Sequence, residues 1–276
     1  RVSATNGAGT GTASSSVSTV PTSRVDNYLT FDGSDDYLSA SGQIVSNGSN
    51  YSLEAWVYDE ATANGSHGIL RLGTTDRAFI MTTKASGSNL ISVGLNGQGE
   101  HESTGVSLPQ NEWAHVALVR QGSDWDFYLN GFLVSSGSVT PTTFDTGGLL
   151  VGAAYAGGNF WKGRIDQVKV WDYTMSQSQI WQSMNAYQET GVTGAGADGA
   201  NAPDLIAHYD FNVVNTSAVN DAVGSHHLTV NGSVASSAFA DVAQTSTVGG
   251  DRVVIFPRSY LTALGGWTVP AAASTH

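Results

Sequence analysis

The chain has 276 residues, 40% of them hydrophobic, 9% aromatic and only 12% charged, with 33 glycines. That is enough apolar material for a sizeable core, and the mix favours strands joined by polar turns. Twenty-three acidic against 11 basic residues give a net charge of −12, which argues against a footprint for nucleic acid or anionic lipid, while the lack of cysteine excludes a disulfide scaffold, a thiolate zinc site and a cysteine nucleophile.

Residues 1–20, RVSATNGAGTGTASSSVSTV, alternate apolar and small polar positions around Asn6-Gly7-Ala8-Gly9. They resemble the last hairpin of a fibronectin type III domain, and Pro21-Thr22-Ser23 reads as the linker out of it. The start at Arg1 looks like mid-strand, carries no signal peptide, and implies a piece of a longer protein. No apolar run approaches the roughly 18 residues of a membrane span.

From Tyr28 to Val242 the pattern is densely β. YSLEAWVY at 51–58 alternates and puts Leu53, Ala55 and Val57 on one face. LISVGL at 90–95 and WAHVALVR at 113–120 are further strands, with His115 facing away from the apolar set. DFYLNGFLVSSG predicts a hairpin across Asn130-Gly131, because a type I′ turn needs positive φ at both positions. LLVG at 149–152 and RIDQVKVW at 164–171 follow. Ser176 and Gln179 then fit a capping box, with Ile180, Trp181 and Met184 on one face, predicting a short helix over 176–187. The Gly/Ala-rich stretch 190–204 reads as a flexible connector. Strands resume at 205–211 and 226–234, and from Gln244 the alternation fades apart from RVVIF at 252–256. The tail 243–276 is read as a pendant strand or the start of a next module.

FDGSDDYL at 31–38, then YSLEAWVY, NEWAHVALVRQGSDWDFYLNG, and FWKGRIDQVKVWDYTMSQSQI together resemble the LamG-like, concanavalin A-like jelly-roll domains, a group that takes in pentraxin-like and laminin G-like members. The resemblance covers roughly 28–240 and implies an all-β antiparallel sandwich with one short helix, occupying residues 24–242 after the fibronectin-like piece at 1–22. LIAHYDFN and HHLTVNGS resemble a strand pair of the same family, here placed after the helix.

Three acids within five residues repel one another unless water, a cation or the turn absorbs the charge. The spacing is not that of an EF-hand, so a calcium site here would need distant ligands. Carried over from the family, such a site implies Asp32, Gly33 through its carbonyl, Asp166 and Asp210. Asp166 is the sharpest of these, lying among Ile165, Val168 and Val170. Against this stands a plain turn cap at Asp32 and a pairing of Asp166 with Arg164 or Lys169. Asp35 and Asp36 are read as solvated turn residues.

Glycan-cleaving members place carboxylates at i, i+2 and i+4 of one strand. Glu54, Asp59 and Glu60 have the wrong period for this, and Asp124-x-Asp126 lacks a third acid, so the expectation is that the chain is not an enzyme. His226 and His227 would point to opposite strand faces, and no metal-binding histidine spacing occurs. Sugars need aromatic platforms and amide or carboxylate partners. Three loops offer them: Asp59 to His67, Asn96 to Glu102, and Tyr155 to Trp161. The calcium-dependent rim binding of pentraxin-like relatives suits Asp59, Glu60, Asn64, Glu100 and Glu102, with Asn96 a further ligand-binding candidate on the second loop and Tyr155, Asn159 and Trp161 on the third. Trp161 also reads as a core residue before its strand, and Trp56, Trp113 and Trp171 read as core.

The function implied is carbohydrate binding by a monomeric module of a large secreted or cell-surface bacterial protein, in adhesion or substrate targeting, with calcium and a glycan or cell-surface ligand. A structural spacer or a protein- or peptide-binding module of an adhesin is the alternative, and a glycan hydrolase or lyase the remote one.

Overall fold

The computed structural model describes residues 5–6, 9–10, 27–45, 50–73, 78–85, 87–95, 102–139, 147–184, 205–212 and 217–238. The expectations for the connector 190–204, for the tail 243–276, and for Asn96 and Glu100 lie outside the described residues, as does the side chain of Glu102. In chain order the strands are β1 (Thr5–Asn6), β2 (Gly9–Thr10), β3 (Asn27–Asp32), β4 (Tyr37–Gln43), β5 (Asn50–Asp59), β6 (Gly65–Leu72) and β7 (Ala78–Ala85). Next come β8 (Ser88–Gly94), β9 (Glu102–Ser107), β10 (Trp113–Gln121), β11 (Asp124–Leu129), β12 (Phe132–Ser138), β13 (Gly147–Val151), β14 (Ala153–Tyr155) and β15 (Gly158–Phe160). The chain continues with β16 (Lys162–Trp171), helix α1 (Gln177–Met184), β17 (Leu205–Tyr209), β18 (Ala218–Val219), β19 (Leu228–Asn231) and β20 (Ala235–Ala238).

Two eight-stranded antiparallel sheets face each other. The first runs β12-β11-β10-β5-β16-β3-β20 with β17 added to β16, and the second runs β18-β19-β4-β13-β6-β7-β8-β9. One apolar cluster fills the space between them, with Leu29, Leu53, Val57, Ile80, Val116, Ile165 and Leu228 all fully buried. The alternation of β5 accounts for its part in this: Leu53, Ala55 and Val57 point inward, leaving Ser52, Glu54, Trp56 and Tyr58 on the outer face.

The local signals of the sequence produce the turns expected of them. Asn130 and Gly131 have φ of 51° and 77°, and join β11 to β12. Ser176 and Gln179 cap α1 reciprocally: the Ser176 amide donates to Gln179 Oε1 at 2.8 Å, and the Gln179 amide donates to Ser176 Oγ at 3.4 Å. The expected helical face is corrected at one position, because Ile180, Ser183 and Met184 are buried whereas Trp181 is 42% exposed. Of the first 22 residues, the described part is the antiparallel ladder of β1 with β2.

Strand β16 organises the first sheet. It lies against β5 on one side, and on the other it pairs first with β3, through Lys162 to Ile165, and then with β17, through Val168 to Trp171. The changeover falls at a bulge after Asp166, where Gln167 takes φ 49° and its amide donates to Asp166 Oδ1 at 2.7 Å. The ends of β3 and β17 are knitted by Asn27 and Asn212: the Asn27 amide donates to Asn212 Oδ1, and Asn27 Nδ2 donates to the Asn212 carbonyl.

Candidate functional site at one end of the sandwich

The bend between β3 and β4 gathers the carboxylates of Asp32, Asp35 and Asp36 so that their ligand atoms lie within 4.8 Å of one another. Asp36 is not the solvated residue expected. It is 2% exposed, because the turn after β19 closes over it. Its Oδ2 accepts the Asp32 amide at 3.0 Å and its Oδ1 accepts the Ser233 amide at 2.6 Å. Asp32 Oδ1 accepts the Ser34 amide at 2.7 Å, so the bend is held by its own acids.

The sequence joined Asp32 and Gly33 to Asp166 and Asp210, and the sheet register sets the two pairs apart. Asp32 lies opposite Lys162, four residues from Asp166 on β16, or about 13 Å along a strand. Asp166 and Asp210 instead belong to the seam between β3 and β17. There Asp210 accepts the Asn212 amide at Oδ1 and Asn212 Nδ2 at Oδ2.

Beside the acidic bend lies the β14–β15 hairpin, flat on the outer face of the second sheet. A Cβ on Gly68 of β6 would meet the Ala154 nitrogen at 2.0 Å, so the hairpin can approach only because that residue is glycine. Arg71 Nη1 donates to the Ala154 carbonyl at 3.2 Å, and Phe160 packs on Tyr37 with ring centroids 6.0 Å apart. At the hairpin tip Tyr155 is 48% exposed. Its ring lies over Gly158, where a Cβ would stand 2.4 Å from the ring and hydroxyl atoms. The hydroxyl end of the ring therefore rests close against Gly158 while about half of the residue is open to solvent, and Asn159 (φ 53°) follows Gly158 in the hairpin.

The loop from Asp59 to His67 meets this hairpin. His67 Nδ1 lies 3.1 Å from the Phe160 carbonyl and its Nε2 lies 3.3 Å from the Ala63 carbonyl. Two of the three loops singled out in the sequence thus share one end of the sandwich. Asn64 is exposed there, but Asp59 and Trp161 do not fit a rim role. Asp59 is fully buried, accepting the Ala61 amide and Asn89 Nδ2, and burial raises its carboxyl against those bonds. Trp161 is fully buried in the core, as a large ring preceding β16. Glu60 is partly exposed and pairs with Arg164 at 2.8 Å.

The outer face of the first sheet holds groups the sequence did not mark. Trp56 and Trp113 are half-buried on this face, not in the core. The half of the face beneath α1 is closed. Here Glu54 Oε1 accepts Trp171 Nε1 at 3.0 Å and the Ser183 hydroxyl, and Glu54 Oε2 lies 3.3 Å from His115 Nε2. Lys169 Nζ donates to the Ser183 carbonyl at 2.7 Å and lies 3.8 Å from Glu54. Burial alone would raise the Glu54 carboxyl, yet Lys169, His115 and Ser183 together outweigh it and hold it at about 2. Burial pulls Lys169 down against the pull of Glu54 and Asp166. His208 is brought down to about 4, by burial first and then by the charge of Lys169. The identities of Glu54, His115 and Lys169 were visible, but their meeting depends on register across three strands and a helix.

A family model described as the concanavalin A-like lectin/glucanases superfamily matches residues 32–181. No curated protein matches the sequence. Among solved structures the chain is similar to a candidate carbohydrate binding protein from Bacteroides ovatus, at 18% identity and a TM-score of 0.61, over 79% of this chain and 61% of that one. The chain thus spans about three fifths of that protein. It is also similar to a heptameric SAP-like pentraxin from Limulus polyphemus, at 17% identity and a TM-score of 0.46, over 57% of this chain and 81% of that one. A third structure is the enzymatically active domain of tailspike protein 2 of bacteriophage CBA120, at 14% identity and a TM-score of 0.44, over 62% of this chain and 28% of that one. At these identities the likeness is one of fold. The expectation that the chain is not an enzyme is corrected here: the matching family joins glucanases with lectins, so membership of it does not exclude catalysis.

Proposed function

The chain belongs to the concanavalin A-like lectin/glucanases superfamily, and from that premise we propose that it is a lectin-like module that binds a glycan at the end of the sandwich shared by the acidic bend and the β14–β15 hairpin. The observation that carries this reading is the half-exposed Tyr155 ring at the hairpin tip, held close against Gly158. A pyranose presents a flat C–H face to such a ring, and a ring already immobilised spares the ordering cost of binding. The Asn159 amide supplies donors and an acceptor for the neighbouring hydroxyls.

The same reading includes calcium. Three carboxylates within 4.8 Å repel strongly in the absence of a cation, and hard oxygen donors from a glycine-bearing bend are the donor set calcium prefers. Asp32, Asp35 and Asp36 would hold it, with Asp36 keeping its bonds to the Asp32 and Ser233 amides. The ion would neutralise the bend and brace β4, whose Tyr37 supports the hairpin through Phe160. Among the described residues no helix is long and apolar enough to cross a membrane. We place the module in a secreted or cell-surface protein, following a fibronectin-like repeat and serving in attachment or substrate targeting.

A glycan array probed with the intact chain tests this, in calcium and in EDTA. Binding that falls at least tenfold on Tyr155→Ala, with unchanged melting, is the expected result. Binding indifferent to Tyr155→Ala, or no binding to any glycan, overturns the assignment.

A further inference from the structure

We propose that Asn64 is a site of covalent self-modification: its side-chain amide closes on the backbone nitrogen of Gly65, releases ammonia, and leaves an aspartyl or isoaspartyl link where β6 begins. The modification itself does not depend on the glycan site proposed above.

Closure of this kind meets least resistance at Asn-Gly, because a residue without Cβ leaves the attacking nitrogen open. The sequence holds six such pairs, beginning at Asn6, Asn47, Asn64, Asn96, Asn130 and Asn231. Asn64-Gly65, Asn130-Gly131 and Asn231-Gly232 lie wholly within the described residues, and the fold treats these three differently.

Two of them are held. Asn130 is 5% exposed, and its Oδ1 accepts the His115 amide at 2.8 Å. Asn231 Nδ2 donates to Ser39 Oγ at 3.1 Å and to the Thr229 carbonyl at 3.2 Å. Space is short at both: a Cβ on Gly131 would stand 2.2 Å from the Trp181 ring, and one on Gly232 would stand 2.5 Å from Asp36 Oδ1. Swinging either asparagine onto the next nitrogen breaks its bonds and crowds those groups.

Asn64 is under none of these constraints. Asn64 and Gly65 are both exposed, and among the described residues nothing bonds to the Asn64 side chain. Gly65 has φ 137°, and a Cβ there would meet nothing within 4 Å. Thr62 and Ala63, just before, are exposed as well, so the reacting pair lies in an open loop.

The chemistry needs only water. The Gly65 nitrogen gives its proton to hydroxide and attacks Asn64 Cγ. The N–Cγ bond forms, the Cγ–Nδ2 bond breaks, and ammonia leaves with a proton from water, giving a cyclic succinimide. Water then opens the ring. Attack at Cγ yields aspartate, and attack at the backbone carbonyl yields isoaspartate, whose main chain runs through Cβ and Cγ.

Either product puts a new negative charge on the loop from Asp59 to His67. The isoaspartyl product also makes the main chain between Ala63 and Gly65 one atom longer. His67 spans that link: its Nε2 lies 3.3 Å from the Ala63 carbonyl, while its Nδ1 lies 3.1 Å from the Phe160 carbonyl. The longer link shifts Ala63 against β6 and loosens the contact by which the loop meets β15.

Ageing the intact chain in warm, mildly alkaline buffer tests the proposal, with peptide mapping by mass spectrometry and isoaspartate counted by enzymatic carboxyl methylation. Replacement of the side-chain NH2 by OH is expected at Asn64 at least tenfold faster than at Asn130 or Asn231. Asn64→Gln should abolish the change at this position, since closure there needs a larger ring. In urea, where the bonds and crowding are gone, the three rates should converge. No change at Asn64, equal rates at the three pairs in the folded chain, or a difference that persists in urea overturns the proposal. Hydrogen exchange reads the consequence: β6 amides should exchange faster in the aged intact chain than in aged Asn64→Gln, and equal exchange would overturn the loosening.

Discussion

Glu54 stands directly across the β5–β16 ladder from Lys169, and neither side chain reaches solvent. Their charges are satisfied by one another, by His115 and by the end of α1, which makes this pair the polar anchor of the helix on the sheet. Breaking a buried pair by removing one partner strands the other charge. Glu54→Leu or Lys169→Met alone is expected to cost about 3–5 kcal/mol in chemical denaturation. The double substitution should recover most of that loss, since it leaves neither charge unpaired.

His208 supplies a pH dependence of definite sign. It is fully buried and neutral, with its Nε2–H donating to Gln167 Oε1 at 2.9 Å. Its folded pKa of about 4 lies below the ordinary 6.5, so between these values the unfolded chain binds more protons. Stability from this group is complete above pH 6.5 and is lost as pH falls through 4, with a total on the order of 3 kcal/mol. Glu54, also depressed, adds its loss between about 4.5 and 2. Denaturation followed from pH 8 to 4 should show the first slope, and His208→Gln should flatten it.

Asp36 is expected to matter more than its neighbours in the acidic bend. Asp36→Ala removes the acceptor for two backbone amides, those of Asp32 and Ser233, and should lower stability by about 1–3 kcal/mol. Asp35→Ala should leave stability in EDTA nearly unchanged. In calcium the intact chain should melt at a higher temperature than in EDTA, and Asp35→Ala should shrink that difference. Thermal unfolding under the four conditions checks both statements.

Much of this was readable from short-range pattern. Alternation in YSLEAWVY places Leu53, Ala55 and Val57 inside, Asn130-Gly131 makes its turn, and Ser176 caps its helix, because each depends on neighbours a few residues away. FDGSDDYL was readable as an acidic turn, but not the rank of its acids: Asp36 is buried by Gly232 and Ser233, some two hundred residues later in the chain. Asp166 signalled a polar group that needs a partner. The bulge and the switch from β3 to β17 decide who that partner is, and neither has a signature in RIDQVKVW. Trp56 and Trp113 were assigned to the core on strand position and size, whereas their phase along β5 and β10 puts them outside. That phase was already implied once Leu53 and Val57 were placed inside.

The last prediction concerns how α1 is seated. Gly131 takes φ 77° in the hairpin turn, and a Cβ there would stand 2.2 Å from the Trp181 ring. Gln177 Nε2 donates to the Gly131 carbonyl at 2.9 Å, and Trp181 packs on Phe132 with centroids 5.5 Å apart. Gly131→Ala therefore carries two costs: a left-handed conformation worth about 1–2 kcal/mol for a residue with Cβ, and displacement of the tryptophan. Trp181→Ala removes the larger share of the steric part, leaving the Met184 Sδ at 2.9 Å from such a Cβ. Gly131→Ala placed in the Trp181→Ala background should cost less than in the intact chain by at least 1 kcal/mol, the coupling expected of groups in contact. Equal costs in the two backgrounds would show that the Trp181 ring does not press on the turn.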